Sequence, residues 1–142
     1  MKMIASSLRR ATLAVLTIAI LVSSFALITP SAAAETYTVK LGTDKGALAF
    51  EPNKLTVHPG DTIKWVNNKV PPHNVVFDPA KNPTKSSDFA KSLSNKKLMM
   101  NPKQSVETTF PEDTPPGEYS FYCEPHRGAG MVGKVIVESV AS

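Results

Sequence analysis

The chain has 142 residues, room for one domain. Sixteen lysines and arginines against twelve acidic residues give a formal charge of +4, but three of the cations and none of the acids fall in the first 34 residues. The remainder keeps 13 cations against 12 anions, and a surface at +1 gives no support to nucleic-acid binding, which wants a clustered basic face.

The chain opens with Lys2, Arg9 and Arg10, then a mostly apolar stretch over residues 11–29, then the small residues Ser31, Ala32, Ala33 and Ala34. This order of positive, apolar and small segments predicts a secretory signal peptide over 1–34, cleaved before Glu35. The 19-residue apolar stretch is close to the ~20 that span a bilayer, so an uncleaved anchor is the competing reading. Thr17, Ser23, Ser24 and Thr29 weaken that alternative. The domain proper is then 35–142.

Strand signals follow in chain order. Tyr37, Val39 and Leu41 alternate with polar neighbours, as do Leu55 and Val57 before a turn at Pro59, Gly60 and Asp61. Ile63 and Trp65 share a face over 62–67, and 74–77 is a short apolar run. Residues 81–100 lack alternation; Ser87 is the expected cap of a short helix from Asp88 to about Asn95, with Phe89 and Leu93 inward. Met99 and Met100 read as an apolar packing pair. Residues 105–110 are rich in β-branched side chains, 118–123 places Tyr119, Phe121 and Cys123 on one face, and 132–140 closes the chain as a long strand. Seven or eight short strands separated by turns predict an all-β sandwich or barrel. Its expected core is Trp65, Phe50, Phe77, Phe110, Tyr119 and Phe121.

Cys123 is the only cysteine, so an internal disulfide is excluded. It could be a buried inert thiol, half of an intermolecular disulfide, or a metal thiolate. Its context is Cys123, Glu124, Pro125, His126, Arg127, Gly128, Ala129, Gly130, Met131, a C-x2-H-x4-M loop between two strands. Thiolate and thioether suit Cu(I), imidazole suits Cu(II), and two His, one Cys and a weak axial Met mark copper electron-transfer sites. Zinc structural sites favour more Cys or His and rarely use Met. The second histidine must come from elsewhere. His73 follows Pro71 and Pro72, which restrict the backbone, whereas His58 alternates outward from Leu55 and Val57. The expected ligands of one copper ion are His73, Cys123, His126 and Met131. Four protein ligands leave no open position for a substrate, so the reading is a carrier and not an enzyme. A copper storage module would need exposed Met or His clusters, and 35–142 has none.

The turn at Val57, His58, Pro59, Gly60 and Asp61, the single Trp65, the run Pro72, His73, Asn74, and the whole of 119–133 resemble the plastocyanins of the cupredoxin family, the cyanobacterial form more than the plant one. The resemblance implies a Greek-key sandwich of about eight strands with one short helix, and a diffusible electron carrier between cytochrome f and photosystem I. It implies a monomer in the thylakoid lumen, peripheral to the membrane. It also implies that the imidazole edge of His126 reaches the surface in an apolar patch with Gly46, Leu48 and Pro72. Tyr122 and Arg127 would belong to a second, side-on contact surface, and the Asn74 amide would donate to the Cys123 sulfur. Plant members carry an acidic run after the first histidine ligand. Here that place reads Asp78, Pro79, Ala80, Lys81, so docking is expected to lean on apolar contact, with weaker charge help from Arg127.

Overall fold

A computed structural model describes residues 33–139. The expected signal peptide over 1–34 lies almost wholly outside the described residues. Among the described residues, no helix is long and apolar enough to cross a membrane.

Among the described residues, nine strands form two sheets: β1 (Thr36–Leu41), β2 (Phe50–Glu51), β3 (Lys54–Val57), β4 (Thr62–Asn67), β5 (His73–Phe77), β6 (Asn95–Met99), β7 (Ser105–Thr109), β8 (Gly117–Tyr122) and β9 (Val132–Val137). One sheet runs β2-β1-β4-β7 and the other β3-β9-β8-β5-β6. β1 pairs with β4 in parallel and β3 with β9 in parallel; the remaining pairs are antiparallel. The inner faces of both sheets carry the alternating apolar residues that period-2 geometry sends to one side. Trp65 lies at the centre, its ring meeting Phe121 edge-on at 5.0 Å, and Phe121 in turn meets Phe50 at 4.8 Å. Edge-to-face contact is the arrangement the ring quadrupoles favour. The Trp65 indole N–H donates to Thr108 Oγ1 at 2.9 Å, so its polar atom is not stranded in the core. The expected core residues are all buried.

The structure adds two strands that the periodicity did not reveal. β2 is only two residues long. β6 is an edge strand whose residues Lys96, Lys97 and Leu98 face solvent, so it has no alternation to read. The short helix α1 (Ser87–Leu93) is capped by Ser86, whose Oγ accepts from the Phe89 N–H at 3.2 Å, one residue before the expected cap. It ends at Leu93 because Ser94 turns its hydroxyl back to the Ala90 carbonyl at 2.6 Å and receives the Phe77 N–H from β5 at 2.9 Å. Met99 is buried at the end of β6, but Met100, just past the strand, is 58% exposed, which corrects the packing pair. β9 stops at Val137, not at 140.

The arrangement of β5 matters most. It lies between β8 and β6, and every one of its five residues is buried. It is antiparallel to β8, with Val76 opposite Tyr122 and Phe77 opposite Phe121. The start of β5 and the end of β8 therefore meet at one end of the sandwich, where the loop 123–131 also begins.

Candidate metal centre

His73 opens β5 with no exposed surface. Its Nε2 lies 2.8 Å from the Lys69 carbonyl oxygen. A carbonyl only accepts, so Nε2 carries the proton and Nδ1 is left with a free lone pair. That Lys69 carbonyl is itself held in place. Asn68 donates its backbone N–H to Leu41 O at 2.9 Å and its amide to Gly42 O at 2.9 Å. Gly42 has φ +83 and packs against Lys69 so closely that a Cβ there would strike the carbonyl.

The loop supplies the rest. Cys123 directly follows β8 and is fully buried. Its Sγ is 3.7 Å from His73 Nδ1 and 3.6 Å from His126 Nδ1, and the two Nδ1 atoms are 3.1 Å apart. The donor atoms of His73, Cys123 and His126 all lie within 4.8 Å of one another. The loop is closed by its own backbone: Cys123 N–H donates to Met131 O at 3.1 Å and Met131 N–H to His126 O at 3.1 Å. Between them a 3-10 turn (Arg127–Ala129) ends on Gly130 at φ +84, a left-handed position that suits glycine. Met131 is thereby returned to the interior with no exposed surface. His58 stays outside this group; its ring is 3.7 Å from Asp61 Oδ2 and 43% exposed.

The electrostatics suit a cation. Burial holds His73 below the ordinary imidazole range, against the Lys69 carbonyl, which favours the charged ring; the neighbouring His126 charge lowers it further. Burial pushes the Cys123 thiol up, opposed by the backbone N–H groups of Asn74 and His126, which face the sulfur and favour its thiolate. Neutral imidazole and thiolate are the forms that bind metal, and a cation between them relieves the desolvation that opposes the thiolate. Two imidazole nitrogens, a thiolate and a buried thioether together fit copper in both of its oxidation states.

Asn74 is clamped beside the sulfur. Its Oδ1 accepts from Glu124 N–H at 2.9 Å, and its Nδ2 donates to Lys96 O at 3.0 Å and Glu124 Oε2 at 2.7 Å. Neither Glu124 nor Lys69 stood out in the sequence. Glu124 could have been found as the immediate neighbour of Cys123; Lys69 acts through its backbone and leaves no side-chain signal.

Leu48, Gly46 and Pro72 are half-buried, as is His126. Val70, 49% exposed and packed beside Gly46, is a further apolar surface residue that the sequence reading passed over. Arg127 is exposed, yet it is not a free charge. Its guanidinium lies 3.9 Å over the Tyr122 ring and its Nη2 is 3.2 Å from Asp78 Oδ2.

Comparison with known proteins decides the family. A model described as copper binding proteins, plastocyanin/azurin family, matches residues 37–138. The chain belongs to that family. A plastocyanin of Nostoc punctiforme is 72% identical over 138 residues, covering 97% of this chain and 99% of the relative. A plastocyanin of a Synechococcus strain is 50% identical, covering 96% and 98%. Among solved structures, the oxidised plastocyanin of the fern Dryopteris crassirhizoma superposes with TM-score 0.61 at 31% identity, over 71% of this chain and 99% of that one. The expected cupredoxin-like sandwich is therefore the fold, and the cofactor of this plastocyanin/azurin member is one copper ion. Its class of work is blue-copper electron transfer.

Proposed function

We propose that His73, Cys123, His126 and Met131 hold the copper ion, and that the protein carries single electrons from cytochrome f to photosystem I. The observation that carries this reading is the convergence of three donor atoms from β5 and the 123–131 loop, with the His73 Nε2 already engaged by a carbonyl. Bound there, the metal would supply a one-electron couple; the residues hold the donors in place so that little must move. In this reading the half-buried His126 presents its outer edge in an apolar patch with Gly46, Leu48 and Pro72, suited to close approach by a partner. Arg127 and Tyr122 form a second contact surface at the side, with Asn74 holding its N–H against the sulfur. Export through residues 1–34, cleavage before Glu35 and residence of the 35–142 domain in the thylakoid lumen as a monomer complete the reading. It is a carrier and not an enzyme, since four protein donors leave no position for a substrate.

An absorption spectrum of the oxidised, copper-loaded protein tests the ligand set. A strong thiolate-to-copper band at about 600 nm is expected. Cys123→Ser should abolish it and His58→Ala should leave it unchanged. A colourless Cu(II) protein, or bleaching by His58→Ala, overturns the assignment.

A further inference from the structure

Asp61 stands far from the metal centre in role and is 3% exposed. Its Oδ1 accepts from the Glu35 backbone N–H at 2.8 Å and its Oδ2 from the His58 N–H at 2.8 Å. A buried carboxylate is costly unless a cation accompanies it. Among the described residues, the only chargeable nitrogen within 4.0 Å is the His58 imidazole at 3.7 Å, charged only when protonated.

Glu35 is fixed at three atoms. Its carbonyl accepts from Thr62 N–H at 2.8 Å, its Oε2 accepts from the Tyr37 hydroxyl at 2.8 Å, and its nitrogen points at Asp61. The Tyr37 hydrogen bond occupies the Glu35 carboxylate and pushes the phenol up to about 12. The Glu35 nitrogen is thus held where it is by contacts that do not depend on residue 34.

We propose that Asp61 is a binding site for the α-ammonium group that cleavage before Glu35 releases. The inference rests on the cleavage reading above. Hydrolysis of the Ala34 to Glu35 peptide bond by water leaves a carboxylate on Ala34, which departs with the leader, and an amine on Glu35. That amine takes a proton at neutral pH, its ordinary value being about 7.7–8.0. A neutral amide hydrogen bond to a buried carboxylate becomes an ammonium–carboxylate ion pair at the same place, and charge-assisted bonds are roughly twice as strong as neutral ones. Leader removal therefore stabilises the fold as well as freeing it. The processed chain keeps all nine strands and α1, so it is the protein on which the ion pair acts.

Three copper-loaded chains ending at Ser142 test this at neutral pH: one beginning at Glu35 with a free amine, the same chain with that amine acetylated, and one beginning at Ala34. The last two keep an uncharged N–H at residue 35; the acetylated chain has no N-terminal charge, and the Ala34 chain carries it one residue further out. The free-amine chain should melt about 4 °C above both, and the gap should close in Asp61→Asn. Three chains melting within about 1 °C overturn the ion pair. Should Asp61→Asn not fold, NMR titration of the Glu35 α-amine decides instead: a midpoint above about 8 supports the pair and one at or below it overturns it. The N-terminal mass of the exported protein separately tests the cleavage position, so a wrong cleavage site and a missing ion pair give different results.

Discussion

His73 Nε2 sits 2.8 Å from the Lys69 carbonyl oxygen, four residues back along the chain. That bond chooses the tautomer, and with it which nitrogen of His73 faces Cys123 and His126. A ring held this way has its lone pair aimed before any metal arrives, and outer partners of this kind orient metal ligands generally.

Gly42 should therefore matter to a site it does not touch. A Cβ at residue 42 meets the Lys69 carbonyl, and the φ of +83 penalises any side chain. Gly42→Ala is expected to cost about 2–4 kcal/mol in urea unfolding and to weaken the blue band as His73 loses its anchor. Gly128→Ala is the control, since nothing lies within 4 Å of a Cβ there. It should stay within about 0.5 kcal/mol of wild type.

Asn74→Ala removes three side-chain hydrogen bonds between β5, Lys96 and Glu124. The loss leaves the Glu124 N–H and Lys96 carbonyl to find other partners, and a destabilisation of about 2–4 kcal/mol is expected. The reduction potential should move as well, because the Asn74 N–H that faces the sulfur loses its side-chain clamp. Voltammetry that finds an unchanged potential would confine Asn74 to a structural role.

The metal-free protein should have a stability maximum near neutrality. Burial lowers the folded-state His73, so the unfolded chain takes that proton first. Its contribution is complete above about pH 6.5 and is lost as pH falls below it. Burial raises the folded-state Cys123 thiol, so its contribution is complete below about pH 8.5 and is lost as pH rises above it. Urea unfolding from pH 5 to 10 should trace a plateau between these limits, extended to lower pH by His73→Gln.

If the proposed carrier role holds, Arg127→Gln should slow electron delivery to photosystem I several-fold at low ionic strength and flatten the dependence on salt. Asp78 already neutralises part of the Arg127 charge, and the Tyr122 ring fixes its plane. The salt-dependent part of the effect should therefore be smaller than the loss of one fully solvated surface charge would produce. Stopped-flow or flash kinetics against salt concentration measures it.

Much of the centre was legible because three of its donors sit in one loop. The C-x2-H-x4-M spacing needs no tertiary knowledge, and the rejection of His58 followed from its strand phase. β6 was not legible: an edge strand facing solvent with Lys96, Lys97 and Leu98 has no apolar alternation to betray it. The helix cap was missed by one residue because two serines stand side by side and only geometry chooses Ser86. The pairing of Arg127 was not legible, because Asp78 stands 49 residues away and comes beside it only in the fold. The Lys69 carbonyl was invisible for a simpler reason: every residue has one.

The 123–131 loop runs from β8 to β9, is closed by hydrogen bonds within itself, and is tied sideways to the sandwich by Asn74 at Glu124 and Asp78 at Arg127. Three of the four proposed donors travel with it, while His73 belongs to the rigid sheet. The centre is thus divided between one jaw built on a sheet and another built on a loop. Replacing the loop with one of another length would move Met131 relative to His73 and retune the couple, leaving the core of the sandwich as it was.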